Sequence, residues 1–190
     1  MKIWRVLLAV GLVSAGALVL AQSERNDTLE ERLRKVEDTL AIQRVLLDYA
    51  VHLDSRNIDG YVGLFTEDGV WQLEDSGEMV RRGHAEIRAM LESIYGDNDE
   101  YEPFGYRGFR IIANTEVDVD GDRAVARSRH LSFMRGERGN PRPVLTGLYV
   151  DELVRVNGEW KIRRRVDYPI MPTSEEWMQQ VAEMRESGEL

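Results

Sequence analysis

Moving a proton at neutral pH requires an imidazole or a perturbed carboxylate beside a hydrogen-bond donor, and this chain offers two such places. One is His130, in the strand-patterned stretch from Arg123 to Met134. Alternation there sends Ala124, Ala126, Ser128, His130, Ser132 and Met134 to one face, and Val125, Arg127, Arg129, Leu131 and Phe133 to the other. The small face suits a pocket wall, so His130 is a candidate general base; its plainer role is a strand histidine satisfied by Ser128 or Ser132. The other place is the helical string LLDYAVHLDSRN, which holds Tyr49 and Asp54. They stand five residues apart, about 140° round an ideal helix, and reach one cavity only if the helix ends or bends between them.

Three consecutive arginines, 163 to 165, form the strongest basic run. In a strand they alternate, and parity with Trp160 and Ile162 sends Arg164 inward with Val166 and Tyr168. Their plainer role is protection of a strand edge. Tyr61, Trp71 and Tyr168 are candidate aromatic walls. The sequence contains no phosphate loop, dinucleotide glycine fingerprint, nucleophile elbow or HxxxH pair. It has no cysteine and three histidines, which excludes thiolate chemistry and cysteine-based metal centres. The expectation is an activity without cofactor or metal.

These side chains need elements to hold them. Leu29, Leu33, Val36 and Leu40 begin an apolar stripe at helical spacing that runs on to Leu53, capped at Asp27 or Thr28. It predicts one long helix, or two joined near Thr39, followed by a short helix over 58–65. Residues 70–73 and 78–81 read as a hairpin, and 83–95 as a helix. The acidic stretch 96–102 reads as a loop that could act as a flap. Strand patterns then cover 109–119, 124–134, 145–156 and 160–168, with Asp120-Gly121 and Asn157-Gly158 as hairpin turns. A capped helix over 173–186 closes the chain. Helices first and an antiparallel meander last predict an α+β domain over 28–170 with a helical tail over 171–190.

The first 21 residues read differently. Lys2 and Arg5 precede an apolar run, Val6 to Leu20, shorter than a bilayer span, which predicts a signal peptide, a disordered linker over 22–27, and a periplasmic or secreted bacterial protein. Its removal leaves 23 basic against 34 acidic side chains, a balance that repels phosphate backbones and argues against nucleic acid as a partner. Residues 104–165 carry 13 basic and 8 acidic side chains, a local bias that favours small anions.

The strings LEERLRKVEDTLAIQRVLLDYAVHLDSRNIDGYVGLFTEDGVW, RGHAEIRAML, IIANTEVDVDGDRAVARS and TGLYVDELVRVNGEWKIRRR together resemble the SnoaL-like branch of the nuclear transport factor 2-like superfamily, over residues 29–168. The resemblance implies a cone-shaped fold, a bent sheet wrapped about N-terminal helices around a deep pocket, and commonly a dimer or trimer formed through the sheet. Here the face carrying Val125, Leu131 and Phe133 would pair two copies. Relatives include dehydratases, a dehydrochlorinase and ketosteroid isomerase, and others that only bind or scaffold. Tyr49 and Asp54 match the dehydratase-like tyrosine and aspartate, which implies a break in the helix between them. The usual histidine four residues before an asparagine is replaced by Arg110 before Asn114, and arginine is no base. Either Asp54 is the base with Arg110 as an anion clamp, or His130 substitutes for the lost histidine. If neither holds, the pocket only binds. A salt bridge between Arg110 and Asp54 would hold the Asp54 carboxyl down and favour binding. The expected activity is a cofactor-independent lyase or isomerase acting on a small, mainly apolar cyclic molecule. The alternative is a non-catalytic envelope protein that binds a hydrophobic small molecule.

Overall fold

A computed structural model describes residues 28–74, 79–96 and 107–188. The segments expected to be a signal peptide, a linker and an acidic loop, residues 1–21, 22–27 and 97–102, therefore lie outside the described residues. The chain divides into two units, residues 1–37 and 38–190. Of the first, the described part is the start of helix α1 (Leu29–Asp54), closed by a reciprocal cap between Thr28 and Glu31.

The rest of α1 is one unbroken helix ending at Asp54, and Ile42, Leu46 and Tyr49 recur along its buried stripe. Helix α2 (Ile58–Gly63) is capped by the Asn57 side chain. Strands β1 (Phe65–Leu73) and β2 (Met79–Arg82) pair antiparallel, and α3 (Gly83–Tyr95) follows. Strands β3 (Gly108–Asp120), β4 (Arg123–Arg135), β5 (Pro141–Val156) and β6 (Glu159–Met171) form the meander. The turn between β5 and β6 needs two residues of positive φ, which Asn157 and Gly158 supply at 53° and 88°. Helix α4 (Ser174–Ser187) starts from a capping box between Thr173 and Glu176.

The α+β class follows as expected, but the sheet is mixed rather than wholly antiparallel. Its order is β2-β1-β6-β5-β4-β3, with β1 and β6 parallel. Hairpin turns specify neighbours that follow each other along the chain, whereas β1 and β6 meet across its length, and nothing in strand alternation encodes such a partner. One face of the sheet packs Ala126, Leu153, Ile162, Phe65 and Trp71 into a core with Ile42, Leu46 and Tyr49 of α1 and Ile87 and Leu91 of α3. Each leucine, isoleucine or phenylalanine side chain withdrawn from water there contributes about 1.5–3 kcal/mol. Asp38 ties α1 to the sheet by accepting from Arg155 and from the Trp160 indole. Among the described residues, no helix is long and apolar enough to cross a membrane.

A bulge in β6 decides which chemistry reaches the core. The β5 pairing steps from Leu153–Ile162 to Glu152–Arg164 and leaves Arg163 without an opposite number. Parity shifts there by one residue, so Arg165, Asp167 and Pro169 are buried beyond it.

Candidate functional site

On β4 the alternation falls as expected: Ala124, Ala126, Ser128, His130 and Ser132 are all buried. His130 Nε2 lies 3.0 Å from the Asp167 carboxylate, and the imidazole stacks on the Tyr149 ring at 4.1 Å between centroids. A carboxylate accepts, so Nε2 is the nitrogen placed to donate, and in the neutral ring Nδ1 would present its lone pair. Nδ1 has no partner. The imidazole occupies space that a side chain on Gly147, opposite it in register, would claim. A Cβ there would lie 2.4 Å from Nε2 and 2.5 Å from the Tyr168 carbonyl oxygen.

Tyr49 rises from α1 to meet this strip of sheet. Its hydroxyl accepts from the Tyr61 hydroxyl at 2.7 Å and from the Trp71 indole N–H at 3.1 Å, and its ring packs against Tyr61 and Tyr149. Burial pushes the Tyr61 hydroxyl well above its ordinary range, so Tyr61 stays protonated and able to donate. The Arg165 guanidinium lies against both the Tyr49 and the Tyr149 ring, 3.7 and 4.3 Å from their centroids. It grips Asp151 with two parallel hydrogen bonds of 2.6 and 2.8 Å, and neither side chain is exposed. Burial acts to lower Arg165, but the Asp151 charge, its hydrogen bonds and the two neighbouring tyrosines together outweigh it and raise the arginine. Burial also raises Asp151, against the pull of Arg165. Arg165 Nη1 has no partner. Among the described residues four buried side-chain polar atoms are unpartnered, namely Ser128 Oγ, His130 Nδ1, Ser132 Oγ and Arg165 Nη1, and all four stand on this one face of the sheet.

A second polar group lies where α1 ends. Asp54 is the last helical residue, and Arg56 just beyond it takes φ 58°; the helix is continuous from Tyr49 to Asp54, so the break that the resemblance implies between them is absent. One Asp54 oxygen accepts from the Arg110 backbone N–H at 2.7 Å and the other from its guanidinium at 2.6 Å. The anticipated salt bridge therefore forms, but it does not hold the carboxyl down. Burial raises Asp54 by more than Arg110 lowers it. Beside the pair, the Tyr95 hydroxyl donates to the Leu53 carbonyl and is pushed up to about 12, chiefly by burial.

The structure thus brings together Tyr49, Tyr61, Trp71 and His130, and separately pairs Asp54 with Arg110. Three other candidates stand elsewhere. Arg164 lies on the opposite face of β6, beside Glu152 and Gln72, because the bulge reversed its parity. Tyr168 shares that opposite face for the same reason. Asn114 is exposed on β3 with φ 49°, where the pairing with β4 slips between Ala113 and Glu116. Five residues of the cluster escape the sequence reading: Gly147, Tyr149, Asp151, Arg165 and Asp167. A signal existed for Gly147 and Asp151, since a glycine and a carboxylate within an apolar strand are poor strand formers that require a local reason.

A family model for the SnoaL-like domain matches residues 34–166. An uncharacterised protein of Mycobacterium tuberculosis is 29% identical over 134 residues, covering 70% of this chain and 86% of that protein. Two solved structures from Novosphingobium aromaticivorans share the fold. One, described as a candidate scytalone dehydratase, is 26% identical with a TM-score of 0.59 and covers 72% of this chain and 87% of its own. The other, described as a candidate aromatic ring hydroxylase, is 29% identical with a TM-score of 0.59 and covers 73% and 93%.

Proposed function

The chain belongs to the SnoaL-like family of the nuclear transport factor 2-like superfamily, and from that premise we propose a cofactor-independent lyase or isomerase that acts on a small cyclic carbonyl compound, with His130 as its base. The observation that carries this reading is the His130–Asp167 pair, buried, with Nδ1 unpartnered. Nδ1 takes a proton from the carbon beside the carbonyl. Asp167 keeps the hydrogen on Nε2 and stabilises the imidazolium that forms, while the Tyr49 O–H donates to the developing enolate oxygen. In an elimination the enolate electrons re-form the carbonyl and expel a β-hydroxyl group, which leaves as water with the proton from Nδ1. In an isomerisation that proton returns to a different carbon. The similarity to a candidate scytalone dehydratase supports this reading.

Asp54 is not the base in this scheme. Both of its oxygens are engaged by Arg110, so it fastens β3 to the end of α1. The test is deuterium incorporation beside the carbonyl of a bicyclic aryl ketone in heavy water, followed by proton NMR. His130→Asn is expected to slow exchange by about a hundredfold or more, and Asp54→Asn to leave it within about threefold. Unchanged exchange in His130→Asn would end the catalytic assignment. The occupied Asp54 also favours a second reading, a non-catalytic binder of hydrophobic small molecules, for which every variant would bind the ketone and none would exchange it.

Residues 1–21 act as a cleaved export signal, checked by the intact mass of protein from the cell envelope. Two copies pair through the sheet face on which Phe109 and Phe133 stack at 5.0 Å, checked by light scattering.

A further inference from the structure

The first turns of α1 are exposed at every position from Thr28 to Glu37, and they carry three large apolar side chains, Leu29, Leu33 and Val36. Helical stability in water comes mostly from packing an apolar face, so this extension calls for a partner. The second unit bears a matching strip. Leu40, Leu47 and Val51 are each at least half exposed, while Ile42, Leu46 and Tyr49 of the same turns are buried in the core. At about 100° per residue, the six exposed positions of an ideal helix fall within about 60° of one another, on the side away from the buried stripe. Their spacings of four, three, four, seven and four are those of a seam between two helices.

We infer that residues 29–37 of one copy dock antiparallel along Leu40 to Val51 of a second copy, and that the same exchange in reverse closes a two-fold dimer. The interface is separate from the sheet face and independent of the chemistry at His130. A two-fold axis beside Leu40 sets that leucine against its own equivalent, Leu33 against Leu47 of the second copy, Leu29 against Val51, and Val36 against the methylene stem of Arg44. Every apolar side chain of the extension then meets an apolar surface. The charges agree with this register. Glu37 falls opposite Arg44 of the second copy, twice by symmetry, and the Arg44 side chain is 74% exposed and steadied by Asp48 on its own helix. Antiparallel helices also oppose their dipoles. Parallel pairing would align the dipoles and set Gln43 against its equivalent inside the seam, a polar layer that costs stability. A lipid surface fits less well, because Glu30, Glu37 and Asp48 flank the strip where helices that lie on membranes carry lysine and arginine.

The chain contains no cysteine, so single cysteines report the pairing directly, and Leu33, Leu40 and Leu47 are exposed, so replacing them leaves the core intact. In the full-length protein treated with a short bismaleimide, Leu40→Cys is expected to link to itself about tenfold or more faster than Ala41→Cys, an exposed position off the strip. Leu33→Cys mixed with Leu47→Cys is expected to link as readily. Leu33→Cys alone is not, because its two equivalents stand about 21 Å apart along an antiparallel pair. Positions 33 and 47 of one helix are separated by the same length, so a link between them joins two copies. Hydrogen exchange read by mass spectrometry gives a second measure. Leu47→Glu lies about three turns from the extension on its own chain, and is expected to speed exchange of amides 32–37 by about tenfold or more by expelling the extension of the second copy. Self-linking of Leu33→Cys as fast as that of Leu40→Cys would mean a parallel pair and overturn the arrangement. Linking no faster than Ala41→Cys at every strip position, or extension amides unchanged in Leu47→Glu, would overturn the interface itself. Wild-type protein that floats with phosphatidylcholine vesicles while the cysteine variants fail to link would give the strip to a lipid surface and overturn it as well. Phe133→Glu, which disrupts the sheet face, is expected to leave the Leu40→Cys link unchanged. Loss of the link there would mean that the sheet face alone brings the helices together, and the inference would fall.

Discussion

Two arginine–aspartate pairs in this domain have the same chemistry and opposite consequences. Arg110 and Asp54 meet at the rim, with side chains 29% and 13% exposed, and the arginine uses its backbone N–H as well as its guanidinium. That pair is a clasp between β3 and the end of α1, and it consumes both oxygens of the carboxylate. Arg165 and Asp151 lie on adjacent strands with no exposure and keep one N–H in reserve. Arginine at position 110 has turned a site that resemblance marks as catalytic into a fastening, while the buried pair on the sheet retains a donor that the protein itself does not use. Burial alone does not distinguish a structural pair from a functional one. What distinguishes them is whether the donors and acceptors are all spent.

The sharpest way to break the comparison is to remove one member of the buried pair. Arg165→Met leaves Asp151 charged and alone, and is expected to cost about 3–5 kcal/mol in urea denaturation, most of which Asp151→Leu should restore. A single variant that costs under about 1 kcal/mol would mean that water reaches the pair, and the contrast with Arg110 would collapse. Next in size is Gly147→Ala. Its Cβ would sit 2.5 Å from the Tyr168 carbonyl oxygen as well as against the imidazole, and a backbone atom cannot swing aside. The expected cost is about 1–3 kcal/mol, with His130 displaced from Asp167 and deuterium exchange lost together.

Such contacts explain what was legible beforehand. The β4 face that carries His130 was legible because alternation over Ala124 to Ser132 is unbroken. Tyr49, Tyr61 and Trp71 could be named as residues, though not as one hydrogen-bonded set, since pairing across α1, α2 and β1 leaves no local trace. Parity counted from Trp160 points to Arg164 and not Arg165 because it runs through a bulge that one extra residue, Arg163, creates without any glycine or proline to announce it. Asp167 was hidden by the same slip. The parallel contact of β1 with β6 was out of reach for a related reason, since periodicity describes a strand and not its distant partner.

Asp54→Asn sharpens the comparison from the rim. Arg110 keeps a route to water, so losing its ionised partner is expected to cost only about 1–2 kcal/mol. The pH dependence carries a definite sign. Burial holds the folded-state pKa of Asp54 above the ordinary 3.8, so its contribution to stability is fully present below pH 3.8 and is lost as pH rises through the folded value. Asparagine does not titrate. The stability lead of the wild type over Asp54→Asn should therefore be larger in acid than at neutral pH, and a lead that grows toward neutral pH would mean that Arg110 outweighs burial.

The smallest effect is expected one residue from the largest. Arg164 lies 3.5 Å from Glu152 on the opposite face, with both side chains partly exposed, and a pair of that kind contributes about 0.2–1 kcal/mol at most. Arg164→Ala should lower the urea midpoint only slightly. The measurement tests the bulge directly, because with regular parity from Trp160 and Ile162 it would be Arg164 that reached the tyrosines and Arg165 that faced outward. A midpoint that falls steeply in Arg164→Ala and hardly at all in Arg165→Met would reverse the register assigned to the second half of β6, and the buried ion pair would then have to be rebuilt around a different arginine.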